Sequence, residues 1–497
     1  MENIINQIQK DVLPIHYGLI YSTVEYNQDY LLIDNIKFDL DNVNFTDFYS
    51  NLQSNNFKFK MHTLRDIILP LYENFQYQKI NEIIEKYCIK FNKFEKFDKI
   101  NYAFYEHSIS WRTILFIFLL NSKKLTNENE KIVTIHLHML WNNFLQNNKK
   151  YNNNNHGLYE DLACLFYCRQ YDLNNSIFKN RFKSNFEGNV VISEGLCKEH
   201  STNYHRLYKN IADIFHFIEP EDKNMNTFIE NFNENFDSMV FDNNYIQYGD
   251  SDMKPLENEL ICLKDVIKKE TIIKSFKAGF FCLKDDNNYF GITACRHSKF
   301  HKQNDDASYV LYIDKKPLFI DSGRYDYTKS EIRSHLCDWK GHNCLEIFGL
   351  NDNSNNFYGI SDILYNEKNE NHSIHMENKY YKKFNINHSR NIEINKDFSN
   401  VIFNDKITSA NKISGCIYLN LSPHYKYFKD AKDSNIFYIN SDYILNVTSD
   451  KNINISIEKG FYSEKTLHHY DIDTLKIEFQ NINDICINVL VQKVIKK

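Results

Sequence analysis

Apolar residues recur along this chain with two different periods. From about residue 63 to residue 237 they lie three or four positions apart, which is the spacing of an amphipathic helix. Short polar loops separate these segments, so the pattern predicts an all-α unit in which consecutive helices pack as antiparallel hairpins. The segments are TLRDIILPLYENF, INEIIEKYCIKF, SWRTILFIFLLN, EKIVTIHLHMLWNNFLQ, LYEDLACLFYCRQ, YHRLYKNIADIFHFI and a helix near 226–237.

Beyond about residue 265 the apolar segments become short and alternate with turn residues. In SYVLYI, Tyr309, Leu311 and Ile313 share one face, and a polar turn from Asp314 precedes the next strand. Many short strands without helices between them predict an antiparallel β-sandwich. The other strands are YFGITAC, PLFID, CLEIFG, NVIFND, SGCIYLNLS, YILNVTS, INISIEKG, LKIEFQ and ICINVLVQKV. We therefore divide the chain into an N-terminal extension of uncertain structure (1–60), a helical domain (61–255) and a β domain (256–497).

Composition narrows the classes of partner. The chain has 497 residues and a formal net charge of −6, so it has no general attraction for nucleic acid. Its 34 Tyr and 38 Phe residues supply core packing and suit a sugar-binding cleft. The apolar run at 114–120 is shorter than the roughly twenty residues that cross a bilayer. Eleven cysteines without a CxxC pair, and no signal peptide at the start, lead us to expect a cytoplasmic protein with free thiols.

Two candidate segments for chemistry lie in the helical half. Asn155 and His156 precede a helix, and an Asn side chain can bind a carboxyl group without adding charge. Capping of the helix by Asn is the simpler alternative. Tyr204 lies beside His200, His205 and a lysine, and positive neighbours lower a phenol pKa towards that of a base. The alternative for Tyr204 is an ordinary packing aromatic.

A third candidate segment lies at the entrance to the predicted hairpin. Arg296, His297, Lys299, His301 and Lys302 form a basic cluster in an acidic protein, which an anionic substrate would require. The alternative is a solvated loop. His301 stands just before the hairpin, where loop residues are commonly functional.

These three segments, in this order and with a change from helices to strands, resemble the heparinase II/III-like polysaccharide lyases and the related alginate and oligoalginate lyases. The likeness is closest in HKQNDDASYVLYIDKKPLFIDSGRYDY at 301–327. It continues in Gly341-His342-Asn343, in Tyr248-Gly249-Asp250-Ser251-Asp252, in Asn155-His156 and in the segment from Ser201 to His205. The resemblance implies an incomplete (α/α) toroid followed by an antiparallel β-sandwich, with the substrate cleft between them.

The resemblance also implies β-elimination at a uronic acid. Asn155 would bind the carboxyl group, Tyr204 would act as base, acid or both, and His301 would remove the proton when it is presented from the opposite face. Substrate-binding roles are implied for His156, Arg112, His205, His297 and Lys302.

One position departs from the family's pattern in a region where relatives bind a structural metal. Gln303 stands where relatives often carry a second histidine, which leaves Asp321 and His342 as candidate ligands. An amide oxygen is a poor zinc ligand, so zinc, calcium, water or no metal remain open, and no cofactor is required for the chemistry.

The leading hypothesis is therefore a lyase that acts on an acidic polysaccharide. A non-catalytic glycan-binding or assembly protein of a surface-polysaccharide pathway is one alternative, and the expected absence of secretion favours it. A glycoside hydrolase on the same toroid is another, but it would need paired carboxylates. The oligomeric state does not follow from the sequence.

Overall fold

The protein divides into two compact units. The first takes Met1–Gly195, Arg206–Glu230 and Asp326–Thr328, and the second takes Leu196–His205, Asn231–Tyr325 and Lys329–Lys497. The structure is a computed structural model that describes residues 24–33, 36–41, 43, 45, 55–95, 102–147, 152–253, 271–350, 357–368 and 371–494. The predicted boundary at 255/256 lies outside the described residues, and the one at 60/61 falls inside a helix, Asn55–Thr63.

All seven predicted helices are present, and the sequence pattern missed two of those described up to residue 235. The missed helices are Asn55–Thr63 and Ser176–Asn189. Before them, Val24–Tyr26, Tyr30–Ile33 and Ile36–Asp39 form a three-stranded antiparallel sheet. The predicted helices run over Arg65–Glu73, Tyr77–Lys90, Glu106–Ser122, Asn127–Asn143, Asn155–Gln170, Thr202–Ile218 and Lys223–Asn235.

Glu106–Ser122 is the central helix of the first unit. Every residue from Ser108 to Leu119 is buried, as expected for a helix that is apolar on all sides. It packs on both Asn127–Asn143 and Asn155–Gln170. Aromatic rings fill the contacts between helices; Trp141 and Tyr167, for example, stack with their centroids 4.2 Å apart. None of the helices in the described residues is long and apolar enough to cross a membrane.

The described residues of the second unit contain two large antiparallel sheets and two short antiparallel pairs, Cys295–Arg296 with Gly359–Ile360 and Val240–Phe241 with Asn244–Tyr245. The five-stranded sheet has the spatial order Lys316–Phe319, Tyr309–Ile313, Tyr289–Thr293, Phe280–Lys284 and Ile272–Ser275. The ten-stranded sheet runs through Ile363–Lys368, Asn371–Glu377, Ile386–Asn395, Asn400–Asn420, His468–Lys493, Tyr443–Ser449, Ile436–Ile439 and Tyr427–Lys429, with Leu345–Ile347 and Asn454–Lys465 paired beside this path. A short helix, Glu331–Cys337, lies between strands of the two sheets in the chain.

The predicted hairpin is confirmed in detail. Tyr309–Ile313 pairs with Lys316–Phe319, and Asp314 and Lys315 both have positive φ, 51° and 63°, as a two-residue hairpin turn of the I′ type requires. Tyr309, Leu311 and Ile313 point into one core, whereas Val310 and Tyr312 point into another. The strand is therefore buried on both faces.

One hydrophobic core contains side chains of both sheets. Phe290 and Leu311 come from the smaller sheet, Phe403 and Ile477 from the larger, and Tyr309 stacks on Phe403 at 4.3 Å. Each such side chain, once fully buried, contributes about 1.5–3 kcal/mol. This shared core fixes the hairpin, and with it the loop that precedes Tyr309, on the larger sheet.

Candidate active site

Tyr204 lies in the first turn of the helix Thr202–Ile218. This turn, up to His205, belongs to the second unit, and the rest of the helix belongs to the first. Ser201 caps this turn, since its Oγ accepts the backbone N–H of Tyr204 at 3.3 Å. The Thr202 hydroxyl donates to the carbonyl of Ile246 at 2.6 Å. The turn that carries Tyr204 is thus held against the segment at 246–252.

That segment approaches the smaller sheet at a glycine. A Cβ atom on Gly291 would lie 1.6 Å from Oη of Tyr248, so only glycine lets the tyrosine come this close. The hydroxyl of Tyr248 lies 3.0 Å from that of Tyr289. Asp250, two residues after Tyr248, is completely buried.

Tyr204 and His301 come together, although 97 positions separate them in the sequence. Their rings stack with centroids 3.9 Å apart and an interplanar angle of 28°. The His301 side chain is 22% exposed, so it can reach a ligand, while Tyr204 is only 5% exposed. His301 has a φ of 53°, a left-handed conformation that a non-glycine residue rarely adopts outside sites held in place by their surroundings.

Two buried carboxylates face the His301 ring. Oδ2 of Asp250 lies 3.1 Å from Nδ1, and Oε2 of Glu199 lies 3.7 Å from Nε2. Arg333 approaches the other oxygen of Asp250 at 2.8 Å. Burial alone would raise the pKa of Asp250, but the charge of Arg333 and the hydrogen bond with His301 outweigh it and hold that pKa well below its usual range.

His200 fixes the loop that leads into His301. Its Nε2 accepts the backbone N–H of His297 at 2.8 Å, and its Nδ1 lies 3.2 Å from the carbonyl oxygen of Phe300. Burial, with the nearby charge of Lys302, lowers the pKa of His200 well below its usual value. The ring is therefore neutral and protonated on Nδ1, because a carbonyl can only accept a hydrogen bond.

Two members of the predicted basic cluster, Lys302 and Arg296, are neutralised by acidic residues, whereas Lys299 is exposed. Lys302, only 1% exposed, pairs with Asp305 and lies 3.6 Å from Asp306. Arg296 also pairs with Asp306, which accepts a further hydrogen bond from Tyr358 at 2.5 Å. The predicted substrate-binding role of Lys302 does not fit this burial, because the acidic residues that follow Lys302 in the chain pair with its ammonium group.

The two remaining histidines of this region bind protein atoms. His205 is buried, and its Nδ1 accepts the backbone N–H of Cys197 at 3.1 Å; burial lowers its pKa to about 3. Nε2 of His297 lies 3.1 Å from the carbonyl oxygen of Ala278. The substrate-binding role predicted for His205 does not fit its burial, whereas His297 is partly exposed and its role stays a prediction.

Asn155 and His156 belong to the first unit, at the start of the helix Asn155–Gln170. Asn154 caps this helix, since its side chain accepts the backbone N–H of His156 at 3.1 Å. Asn155 is therefore not the capping residue, and its buried Oδ1 has no hydrogen-bond partner in the described part of the chain. His156 is 26% exposed and lies 3.4 Å from both Glu106 and the hydroxyl of Tyr105.

Arg112 has a structural position. Its guanidinium is fully buried and donates to the carbonyls of His62 and Ala103, both at 2.7 Å, and to the hydroxyl of Tyr87 at 2.9 Å. Nε also donates to Nε2 of His136 at 3.3 Å. The predicted substrate-binding role of Arg112 does not fit these contacts, because they leave no donor at a surface.

The candidate metal ligands contact each other. Nδ1 of His342 lies 3.1 Å from Oδ2 of Asp321, and Gln303 donates to the carbonyl of Gly323 at 3.3 Å. Nε2 of His342 and Oε1 of Gln303 are buried without a partner in the described residues, but one imidazole and an amide make a poor zinc set. No group of three His, Cys, Asp or Glu side chains among the described residues could hold an ion. These residues do not fit a zinc centre.

Sequence reasoning overlooked four residues that surround His301. Glu199 and His200 lay in a segment already singled out for Tyr204, and Asp250 lay in a motif of the resemblance without a role of its own. Arg333 had no signal in the sequence. A polar segment such as Tyr248–Asp252 next to a predicted site could have directed attention to Asp250.

Comparison with known proteins supports the resemblance. Residues 271–487 match the family model described as "Heparinase II/III-like, C-terminal". A heparinase III gene product is 17% identical with a TM-score of 0.65, over 98% of this chain and 84% of its own. A crystal structure of heparinase III is 16% identical with a TM-score of 0.68, over 88% and 76%. Heparan sulfate lyase HepC from Pedobacter heparinus is 15% identical with a TM-score of 0.61, over 97% and 83%. No curated protein matches.

Proposed function

Because residues 271–487 match the heparinase II/III-like C-terminal family model, we propose that this chain is a polysaccharide lyase that cleaves a uronic-acid-containing glycan by β-elimination. The observation that carries the proposal is the stacked pair of Tyr204 and His301, an ionisable phenol and an imidazole in contact beside buried carboxylates. The names of the similar solved structures, heparinase III and heparan sulfate lyase, support an acidic polysaccharide as the substrate.

β-Elimination requires three actions from the protein. The carboxyl group at C5 must be neutralised, the C5 proton must be removed, and the departing O4 must receive a proton. We assign the first to Asn155, whose amide can both donate to and accept from a carboxyl group; its buried Oδ1 without a partner supports this. The proton transfers fall to Tyr204 and His301.

We also propose the finer architecture that the resemblance implies. The helices of the first unit would form an incomplete (α/α) toroid, and the two sheets of the second unit an antiparallel β-sandwich. The all-round burial of Glu106–Ser122 and the core shared by the two sheets support this assignment.

The experiment is a panel of polymers that includes heparan sulfate, alginate and hyaluronan. Elimination leaves an unsaturated uronate, so absorbance in the ultraviolet rises with time and mass spectrometry detects a product that lacks the elements of water. Hydrolysis would give new reducing ends without that absorbance, and a glycan-binding protein would retain polymer without either product. Either result, from folded protein, would contradict the proposal for the polymers used.

Two substitutions test the assigned roles on a polymer that is cleaved. Tyr204→Phe removes a group that transfers a proton, and we expect kcat to fall by at least about 100-fold. Asn155→Ala removes a preorganised hydrogen-bond partner of the carboxyl group, and we expect kcat to fall by a similar factor. Tyr208→Phe is the matched control, since it removes a buried hydroxyl one turn later in the same helix and should leave kcat unchanged. Full activity in Tyr204→Phe would contradict its role.

A further inference from the structure

The two nitrogens of His301 have unequal surroundings. Nδ1 lies 3.1 Å from Oδ2 of Asp250, within hydrogen-bond distance, whereas Nε2 lies 3.7 Å from Oε2 of Glu199, which is too far for a hydrogen bond. A carboxylate can only accept a hydrogen bond, so the Asp250 contact requires a proton on Nδ1. In the neutral ring Nε2 is then without a proton.

Asp250 is held in place by groups other than the histidine. Arg333 contacts its Oδ1 at 2.8 Å, and the amide of Gln303 approaches the same atom at 3.4 Å. Its backbone carbonyl lies 3.4 Å from the Ser201 hydroxyl, next to the turn that carries Tyr204. Arg333 in turn donates to the carbonyl of Arg324 at 2.9 Å. The carboxylate therefore has a fixed orientation, and its charge is balanced by Arg333.

We propose that Asp250, held by Arg333, is a positioning residue that keeps His301 in the Nδ1–H tautomer and so makes Nε2 the atom that takes the substrate's proton. This inference rests on the proposed function. In the step, the C5–H bond breaks, the proton passes to Nε2, and the electron pair stays on the sugar as an enolate. The imidazolium that forms lies between Asp250 and Glu199, whose negative charges stabilise it.

The first experiment reads the tautomer directly and needs no substrate. Nitrogen-15 NMR of histidine-labelled protein, with the His301 signals assigned by their loss in His301→Gln, distinguishes the protonated from the unprotonated nitrogen. We expect Nδ1–H in the wild-type protein. Asp250→Asn, whose amide can donate to Nδ1, is expected to convert a measurable fraction to the Nε2–H form. A wild-type His301 in the Nε2–H form would overturn the proposal.

The second experiment measures turnover in the same variants. Loss of the correct tautomer should lower kcat of Asp250→Asn by about 100- to 10,000-fold, the latter being the effect of the equivalent change in a serine protease. KM should change much less, because Asp250 is buried and touches no substrate. Asp250→Glu, which restores a carboxylate, should recover part of the rate.

Asp237→Asn is the matched control. Asp237 is also buried and pairs with Lys284 at 2.6 Å, so its substitution removes a buried ion pair elsewhere in the same unit. Its kcat should stay within about threefold of wild type even if its Tm falls. If Asp250→Asn proves unfolded, Arg333→Gln provides the same test from a side chain that is 16% exposed.

The outcomes separate the two proposals. If no polymer is cleaved, the proposed function fails, but the NMR tautomer still decides whether Asp250 orients His301. If polymer is cleaved and Asp250→Asn keeps its kcat, the positioning role is overturned while the lyase assignment stands.

Discussion

Arg112 illustrates how a residue singled out from the sequence can have a structural role. The resemblance to the lyase family implied that Arg112 binds substrate. In the structure the guanidinium instead satisfies the carbonyls of His62 and Ala103, which the ends of nearby elements leave without partners. The sequence cannot distinguish the two roles, because the acceptors lie 50 and 9 residues away.

Arg112→Leu should therefore reduce stability rather than substrate binding. Each acceptor left buried without a donor costs about 1–3 kcal/mol, so we expect the free energy of unfolding in urea to fall by at least about 3 kcal/mol. KM of any folded fraction should be unchanged. Arg169→Met is the control, since Arg169 is exposed and its guanidinium contacts Phe217 at the surface, 3.3 Å from the carbonyl oxygen and 5.6 Å from the ring centroid. Equal stability of the two variants would contradict this account.

At the scale of elements, the sequence predicts periodic segments well and polar interiors poorly. The strand Ile386–Asn395 was missed although its burial alternates regularly, because two of its inward positions are His388 and Arg390. Both are satisfied by Asp405 on the neighbouring strand, at 2.8 and 2.7 Å. When the partner of a charged residue lies on a neighbouring strand, the sequence alone does not show the pairing. Such a residue is then predicted to be exposed.

The candidate site shows the same limit. Tyr204 and His301 were named from motifs, and the structure brings them into contact. Asp250, Glu199 and Arg333 could not be assigned from spacing, because the pairing depends on where three separate segments meet in the fold. The assignment of Lys302 to substrate binding has a related cause. In the sequence Asp305 and Asp306 resemble turn residues, and only the fold shows that they pair with Lys302.

The loop from His297 to Phe300 gives a prediction at this scale. His200→Phe keeps an aromatic ring beside His297 but removes the two nitrogens that bind the loop backbone. Two hydrogen bonds are worth about 0.5–1.5 kcal/mol each, so the amide of His297 should exchange its hydrogen about 5- to 150-fold faster. Lys299→Ala, on the same loop and exposed, should leave that rate unchanged. Unaltered exchange in His200→Phe would show that the loop is held by other contacts.

At the scale of the whole molecule, buried neutral histidines make stability depend on pH. Burial lowers the pKa of His62 and of His205 to about 3, from an unfolded value of about 6.5. Below pH 6.5 the unfolded chain binds protons that the folded protein refuses, so stability is full above that pH and falls as the pH drops towards 3.

Each of these histidines should therefore cost about 2 kcal/mol of stability between pH 7 and pH 5. Thermal unfolding followed over this range should show Tm falling steadily with acidification. His205→Gln retains an acceptor for the N–H of Cys197 but does not titrate, so its Tm should depend less on pH. A variant that follows the wild-type curve would exclude His205 as a contributor.

The ion pair of Arg296 with Asp306 closes the segment that contains His301 into a loop held at both ends. Ordering a backbone costs about 1–2 kcal/mol per residue at room temperature, and here that entropy has already been lost during folding. A ligand that meets this loop need not order it. In the lyase that we propose, the free energy of the ligand's remote contacts is then available to distort the reacting sugar towards the transition state, where it increases turnover rather than affinity.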